Sequence, residues 1–560
     1  MTVSYQQQLQ TIRRLFAEPS LDTKQDAYLV ATIADAVKNL CATKTGAITY
    51  ADEEAQPDFE LAKQASLAEH GMRTEEVVSL LLSYCRGSVI AGHEYDQRNV
   101  DPVPTIASLV GSLYDSILTT NLAWDEHSHL IAQAEVECCA MLARLIGYDC
   151  DKSKGISTFG GSGVNLYSIR IGLEKAVPNA IANGLRHGGA DMKRIVVFGA
   201  EGSHWSVANA AAVVGIGRRN VIKIPVAADG SMCVDALYQQ ASRALKKGEQ
   251  IAAIVANAGT TTDFAFDDLE AISQVRDKLV QEFSLPYSIH VHADSVISWV
   301  WSVFSNYDFA QNKLQFEDTT LYMLQNVYER VKNLHYADSV GIDFHKMGCA
   351  PYISSFAVNK DGNDFNLLQR DDSEMPYVGN NGKYFPGKFS IETSRNASGV
   401  LSAFATMKAL GRQGYQVILG HLSAMNQQLR QQLDELDWAT VLNFQNHGVA
   451  TIIRLAPDNY SYEDYQDELN NSELRATLIA NNQYNLAIYE NIRARVYQDN
   501  ISAISLITKH QAIKYGDKLL HSNALKVYFT SPFTTAETVE KLIEHLRATR
   551  LQLSSKQQVS

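Results

Sequence analysis

The sequence predicts an α/β protein with a mostly parallel central sheet, covered on both faces, and a smaller α+β unit behind it. Three observations carry this. Between about 155 and 360, short β-rich apolar runs alternate with helical ones. Polar residues with chemical potential stand directly after those runs, where ligands gather in open parallel sheets. After about 410 the texture changes to strand-like segments followed by a helix.

Bulk properties narrow the function classes. A chain of 560 residues suggests one large domain and one or two smaller ones. With 46% hydrophobic and 20% charged residues, the composition is that of an ordinary globular protein. A net charge of −13 argues against nucleic acid or an anionic membrane as the main partner. No apolar run reaches transmembrane length, and the opening stretch lacks a signal-peptide core. Seven scattered cysteines, an odd count without metal spacing, suggest reduced thiols and a cytoplasmic protein.

Residues 1–90 read as helical. LDTKQDAYLVATIADAVKNLCA has apolar residues at helical spacing after Asp22, a capping residue. Such a segment cannot bury its stripe alone and is expected to pack on another subunit or on the main domain. A polar loop, GHEYDQRNVDPV, follows at 92–103, then two long helical stretches up to Tyr148. Their breaks at Thr119–Asn121 and Asp125–His129 are either cleft linings or ordinary helix ends, and Asn121 is taken as a candidate substrate contact. The strand expectations are RIVVFGA, NVIKIPV, IAAIVANAG, SIHVHAD, SVGIDF and ISSFAV. The expected domains are 1–90, helical and dimer-packing; 91–410, the large α/β domain; and 411–560, the small α+β domain. The last residues, SSKQQVS, read as a frayed tail.

Five stretches supply the candidate site. Gly160-Gly161-Ser162-Gly163 opens into a helical pattern, so backbone N–H groups can approach an anion at a helix N-terminus. The spacing is not that of a dinucleotide fingerprint. His204 follows RIVVFGA and can stack on a planar ring or carry a proton. Thr260-Thr261-Thr262-Asp263 follows IAAIVANAG, and its hydroxyls can reach the polar edge of a ligand. Asp294 ends an apolar strand, where a bare carboxylate is costly; a protonated ring nitrogen or an arginine would answer it. Lys346 stands just past SVGIDF, where loss of solvation makes an amine nucleophilic toward carbonyls, unless it merely marks the strand end. A phosphate cradle, a ring-facing histidine, a carboxylate and a lysine for an aldehyde form the inventory for pyridoxal 5'-phosphate.

Over roughly residues 90–550 the chain resembles the pyridoxal-phosphate-dependent group II amino-acid decarboxylases, the family of the glutamate, aromatic-amino-acid, aspartate and tyrosine enzymes. The matching stretches are TFGGSGVNL, SHWSVANAAAVVGIG, NAGTTTDFAFDDLEAI, HADS, ADSVGIDFHK and ETSRNASGVLSAFATMKALGRQGY. The resemblance implies fold type I, the aspartate-aminotransferase-like fold, and a homodimer with active sites at its interface. It puts the Schiff-base lysine on Lys346, the stacking histidine on His204 and the ring-nitrogen aspartate on Asp294. It puts phosphate contacts on Gly161, Ser162 and His345, and Thr260 in the family's Gly-Thr-Thr turn. Gly163 and Ser295, inside the same motifs, complete the cofactor-binding set. The substrate-facing arginine matches Arg395. The run SVISWVW after Asp294 departs from the family pattern, and Trp299 and Trp301 are expected to crowd or reshape that side.

The expected activity is decarboxylation of an L-amino acid to the amine and carbon dioxide. Tyr377 is the expected loop acid that protonates the α-carbon, with Tyr384 competing. The rival readings are a pyridoxal-phosphate lyase, an oxidative decarboxylase-deaminase, an aldehyde synthase, and a non-catalytic binding paralogue.

Overall fold

The computed structural model describes residues 4–51, 57–101, 103–185, 195–375, 382–496, 501–515 and 518–557. Its centre is a seven-stranded sheet of β1 (Lys154–Thr158), β2 (Ile195–Ala200), β3 (Val221–Ile224), β4 (Gln250–Asn257), β5 (His290–Asp294), β6 (Ser339–Asp343) and β7 (Ser355–Asn359). The order across the sheet is β1-β7-β6-β5-β4-β2-β3. Strands β2 to β6 run parallel, and β7 runs antiparallel to both its neighbours. All six expected runs are strands. β2, β5 and β6 are buried at every residue, the condition under which a strand reads as a continuous apolar run. β1 was not expected. Its sequence KGIST is short, and it pairs along one edge only.

Some polar side chains of the buried strands pair with one another, although His292 Nε2 has no hydrogen-bond partner among the described residues. His290 Nε2 and His292 Nδ1 each lie 2.8 Å from the Ser339 hydroxyl. Burial pushes both imidazoles below their ordinary value, His292 to about 4, so both are neutral at pH 7.

The helix Gly161–Ala176 crosses β4 and β5 at close range. Gly172 makes the approach possible, because a Cβ there would lie 2.3 Å from the Ala252 carbonyl oxygen. Gly172→Ala should therefore destabilise the protein by about 1–3 kcal/mol through overpacking. Denaturant unfolding checks this; an unchanged midpoint would contradict the close contact.

The 37-residue helix Ser398–Asp434 is broken at Gly411, whose φ of 57° and ψ of −171° lie outside the helical region. Beyond it lies a four-stranded antiparallel sheet of Ala439–Val441, Ala450–Leu455, Ser505–Ile507 and Ala524–Tyr528. Helices Tyr462–Asn470, Arg475–Arg495 and Ala536–Gln557 complete this small unit, with Arg454 and Glu468 paired at 2.8 Å inside it. The segment around 92–97, assigned from sequence to the start of the large domain, is attached here. Gln97 donates its N–H to Ala503 O and accepts one from Tyr528, and the Ser531 hydroxyl donates to Gly92 O.

Ahead of it stand the helices Tyr5–Arg13, Thr23–Ala42, Phe59–Ala62 and Thr74–Tyr84, none of which buries a residue within one chain. Asp22 caps the second by accepting from Lys24 and Gln25 N–H. Trp299 and Trp301 do not crowd the site. Both are fully buried in the main core, with Trp299 against Phe344 and Tyr415 and Trp301 against Phe264.

Candidate functional site

A cavity of about 640 Å³ opens at the carboxyl ends of the parallel strands. Five chain segments reach it: the start of helix Gly161–Ala176, the loop after β2, the turn after β4, the end of β5 and the turn after β6. They bring Gly161, Ser162, His204, Thr260, Asp294, His345 and Lys346 to one wall system. Residues distant in sequence meet because each follows a parallel strand.

Lys346 Nζ lies 2.9 Å from Asp343 Oδ2, and this carboxylate also stands 3.5 Å from His345 Nε2. Its other oxygen accepts from the Ser355 hydroxyl at 2.6 Å. Asp343 is thus the buried counter-charge of the lysine. It closes an apolar strand, and sequence reading passed over it in favour of the lysine three residues on. Asp294 presents one oxygen, Oδ2, to the Asn165 amide at 3.0 Å. Its Oδ1 is buried without a hydrogen-bond partner among the described residues. No arginine answers it there.

The same Asn165 amide donates to Ser206 Oγ at 3.0 Å, and Ser206 Oγ lies 2.7 Å from His204 Nδ1. Asn165, Ser206 and His204 therefore form one chain that orients both Asp294 and the imidazole. Burial pushes the His204 pKa below its ordinary value against the pull of Asp294, favouring the neutral ring. Ser206 N–H points to Nδ1, which leaves the ring hydrogen on Nε2. His345 is pushed down as well, by burial outweighing Asp343, and its Nδ1 is tied to Ser354.

The anion end is built by the helix N-terminus. Gly160 has φ 102°, a conformation glycine adopts without strain. At Gly161 a Cβ would stand 3.1 Å from Asp343 Oδ2, a tight contact that glycine avoids. A helix start with unbonded N–H groups suits a phosphate. The unmet Asp294 oxygen suits a protonated ring nitrogen, and Lys346 suits an aldehyde. This donor set fits pyridoxal phosphate, with Gly161, Ser162 and His345 at the phosphate and Asp294 at the ring nitrogen.

Several expectations are placed elsewhere. Gly163 backs the cavity without lining it: its N–H goes to Gly160 O, and Phe159 and Thr158 press on it. Ser295 is turned away, with its hydroxyl 3.0 Å from that of Ser298. Thr260 lines the cavity and accepts Ala265 N–H at 3.0 Å. Asn121 caps its own turn and holds the Arg395 backbone N–H, outside the cavity wall. Tyr377 lies outside the described residues.

Arg395 lines an adjoining cavity of about 480 Å³ that shares Tyr352 with the first. Its guanidinium is already matched by Glu135, which it holds through two nitrogens, and it also donates to Leu122 O and to Ser157. Alone, burial would push the carboxyl up and the guanidinium down; pairing drives each the other way. The Tyr384 hydroxyl donates to the same Glu135 at 3.0 Å, and burial raises its pKa well above the ordinary phenol value. The Arg395 guanidinium and the Tyr384 hydroxyl are thus both engaged by Glu135. The breaks at 121 and 125 serve this buried network, because Asp125 accepts the N–H groups of Lys383 and Tyr384.

Among the described residues no group of three His, Cys, Asp or Glu side chains could hold a metal, and no helix is long and apolar enough to cross a membrane.

Residues 89–299 match the pyridoxal-dependent decarboxylase conserved domain. A glutamate decarboxylase-like protein of Gibberella zeae is 26% identical over 258 residues, 46% of this chain and 43% of its own length. The chain thus spans less than half of that relative. The acidic amino acid decarboxylase GADL1 of Xenopus tropicalis is 25% identical over 427 residues, 75% of this chain and 76% of its own. Mouse CSAD in its apo form superposes with a TM-score of 0.73 at 18% identity, covering 93% of this chain and 99% of that one. That likeness extends the fold, type I, over nearly the whole chain. The chain thus carries the pyridoxal-dependent decarboxylase conserved domain over residues 89–299.

Proposed function

We propose that this protein decarboxylates an L-amino acid, releasing carbon dioxide and the amine. The observation that carries the reading is the unmet Oδ1 of Asp294 in the same cavity as Lys346 and the glycine-started helix. When bound, pyridoxal phosphate supplies an aldehyde that condenses with amines and a conjugated ring that takes up the electron pair left by the departing carboxylate. Lys346 offers the amine that holds the aldehyde between turnovers. Asp294, oriented by Asn165, keeps a proton on the ring nitrogen. His204, neutral and turned by Ser206, bounds the cavity with an N–H at Nε2. His345 and the first turn of the helix hold the phosphate. Tyr377 returns a proton to the α-carbon; what supports it over Tyr384 is the commitment of the Tyr384 hydroxyl to Glu135.

We propose further that the working unit is a cytoplasmic homodimer. Support comes from apolar side chains exposed within one chain, among them Leu81 and Tyr84 of the N-terminal helices and Ile106, Tyr114 and Leu118 of helix Ile106–Leu118. Light scattering should give twice the 62.0 kDa chain mass.

The function is tested by supplying the protein, loaded with pyridoxal phosphate, with each of the twenty amino acids. Carbon dioxide and the matching amine in equal amounts are expected for at least one. Aldehyde with ammonia or peroxide would replace this reading with the oxidative one. Asp294→Asn should lower turnover about 10²–10³-fold, the scale of losing one preorganised electrostatic partner.

A further inference from the structure

The turn Gly259–Phe266 has two faces. Thr260, Thr261 and Thr262 line the cofactor cavity. The opposite face, half-buried Asp263 and fully buried Phe264, meets the small C-terminal unit. His510 Nε2 lies 2.9 Å from Asp263 Oδ1, while Thr262 donates to Oδ2 at 3.1 Å. His510 is itself held by Tyr465 at 3.0 Å, and Tyr465 by Ser522 at 2.9 Å. Asn443 and Asn446 both donate to the Asp263 carbonyl oxygen.

Phe264 adds a conformational observation. It is a non-glycine residue with φ 55°, a backbone state that costs energy and persists only where the surroundings impose it. The surroundings here are Trp301 and Phe266, both edge-on to its ring, and Gly448 of the small unit, whose added Cβ would fall 2.0 Å from that ring. Burial would raise the Asp263 pKa; the His510 hydrogen bond and charge outweigh it and hold the carboxylate below the ordinary value.

We propose that Asp263 is a positioning residue: through its pairing with His510, the small unit holds the threonine turn against the cofactor cavity. The inference rests on reading that cavity as the pyridoxal-phosphate site, and it adds a route by which the small unit sets affinity for the cofactor.

The test compares wild type, His510→Ala and His510→Gln, the last keeping an N–H donor. Two readouts are taken: amide exchange of residues 259–266 in cofactor-free protein, and affinity for pyridoxal phosphate by absorbance titration. In His510→Ala exchange should rise in this turn and affinity should fall on the order of tenfold, as for the loss of a hydrogen bond to a charged group. His510→Gln should recover most of both. Unchanged exchange in His510→Ala, or faster exchange with undiminished affinity, would overturn the proposal, as would no recovery in His510→Gln. A wild-type protein that binds no pyridoxal phosphate would instead sink the cofactor reading, and the exchange comparison alone would then decide the clamp.

Discussion

Lys346→Ala is expected to abolish amine formation while leaving a folded protein. The Lys346 side chain lies 2.9 Å from Asp343 at the cavity wall and is 22% exposed, so its removal opens no void in the core, and Asp343 keeps its hydrogen bond from Ser355. Loss of the amine removes the covalent hold on the aldehyde and a proton-carrying group together. The fall in turnover should exceed the about 10²–10⁴-fold that one positioned proton-transfer group supplies. The carbon dioxide assay described above measures it, with far-UV circular dichroism reporting the fold. Turnover within tenfold of wild type would refute the assignment of Lys346.

The second large effect is on stability. Glu135 and the Arg395 side chain are almost wholly withdrawn from solvent, at 0% and 2% exposure. Removing one partner leaves the other charge buried and unpaired, which costs about 3–5 kcal/mol. Arg395→Met should therefore lower the unfolding midpoint markedly. The double variant Glu135→Gln/Arg395→Met removes both charges and should recover much of the loss, because an ion pair this deep is only weakly stabilising against an uncharged replacement. A double variant no more stable than the single one would contradict the view that the unpaired carboxylate is what destabilises. A direct substrate contact by Arg395 makes a different prediction: the single variant would keep its stability and lose activity alone.

The difference between Lys346 and Arg395 shows what was legible in the sequence. Lys346, Asp294 and His204 follow strands or strand-end turns in runs otherwise apolar, so their polarity is conspicuous and the parallel sheet brings them together. The strands themselves were legible because they are buried on both faces. Arg395 was legible as a residue of a recognisable motif and illegible in its commitment. Its partner Glu135 sits in AEVECCAML, where a glutamate reads as a solvent-facing position on a helix. Asp343 and Asn165 were missed for a related reason: their meaning depends on a neighbour that is distant in sequence or overshadowed by the lysine. The pairing of Gln97 with Ala503 and Tyr528 has no local signal at all, because its partners stand about four hundred residues away. Trp299 and Trp301 were placed on the correct loop but the wrong side of it, since the single turns of Ser298–Asn306 point both indoles into the core.

The measurement that bears most directly on the account is covalent mapping. Protein incubated with pyridoxal phosphate is reduced with borohydride, digested and analysed by mass spectrometry. A pyridoxyl group confined to the peptide carrying Lys346, and absent from Lys346→Ala, is the predicted result. A reduced protein with no adduct, or with the label on another lysine, would contradict it.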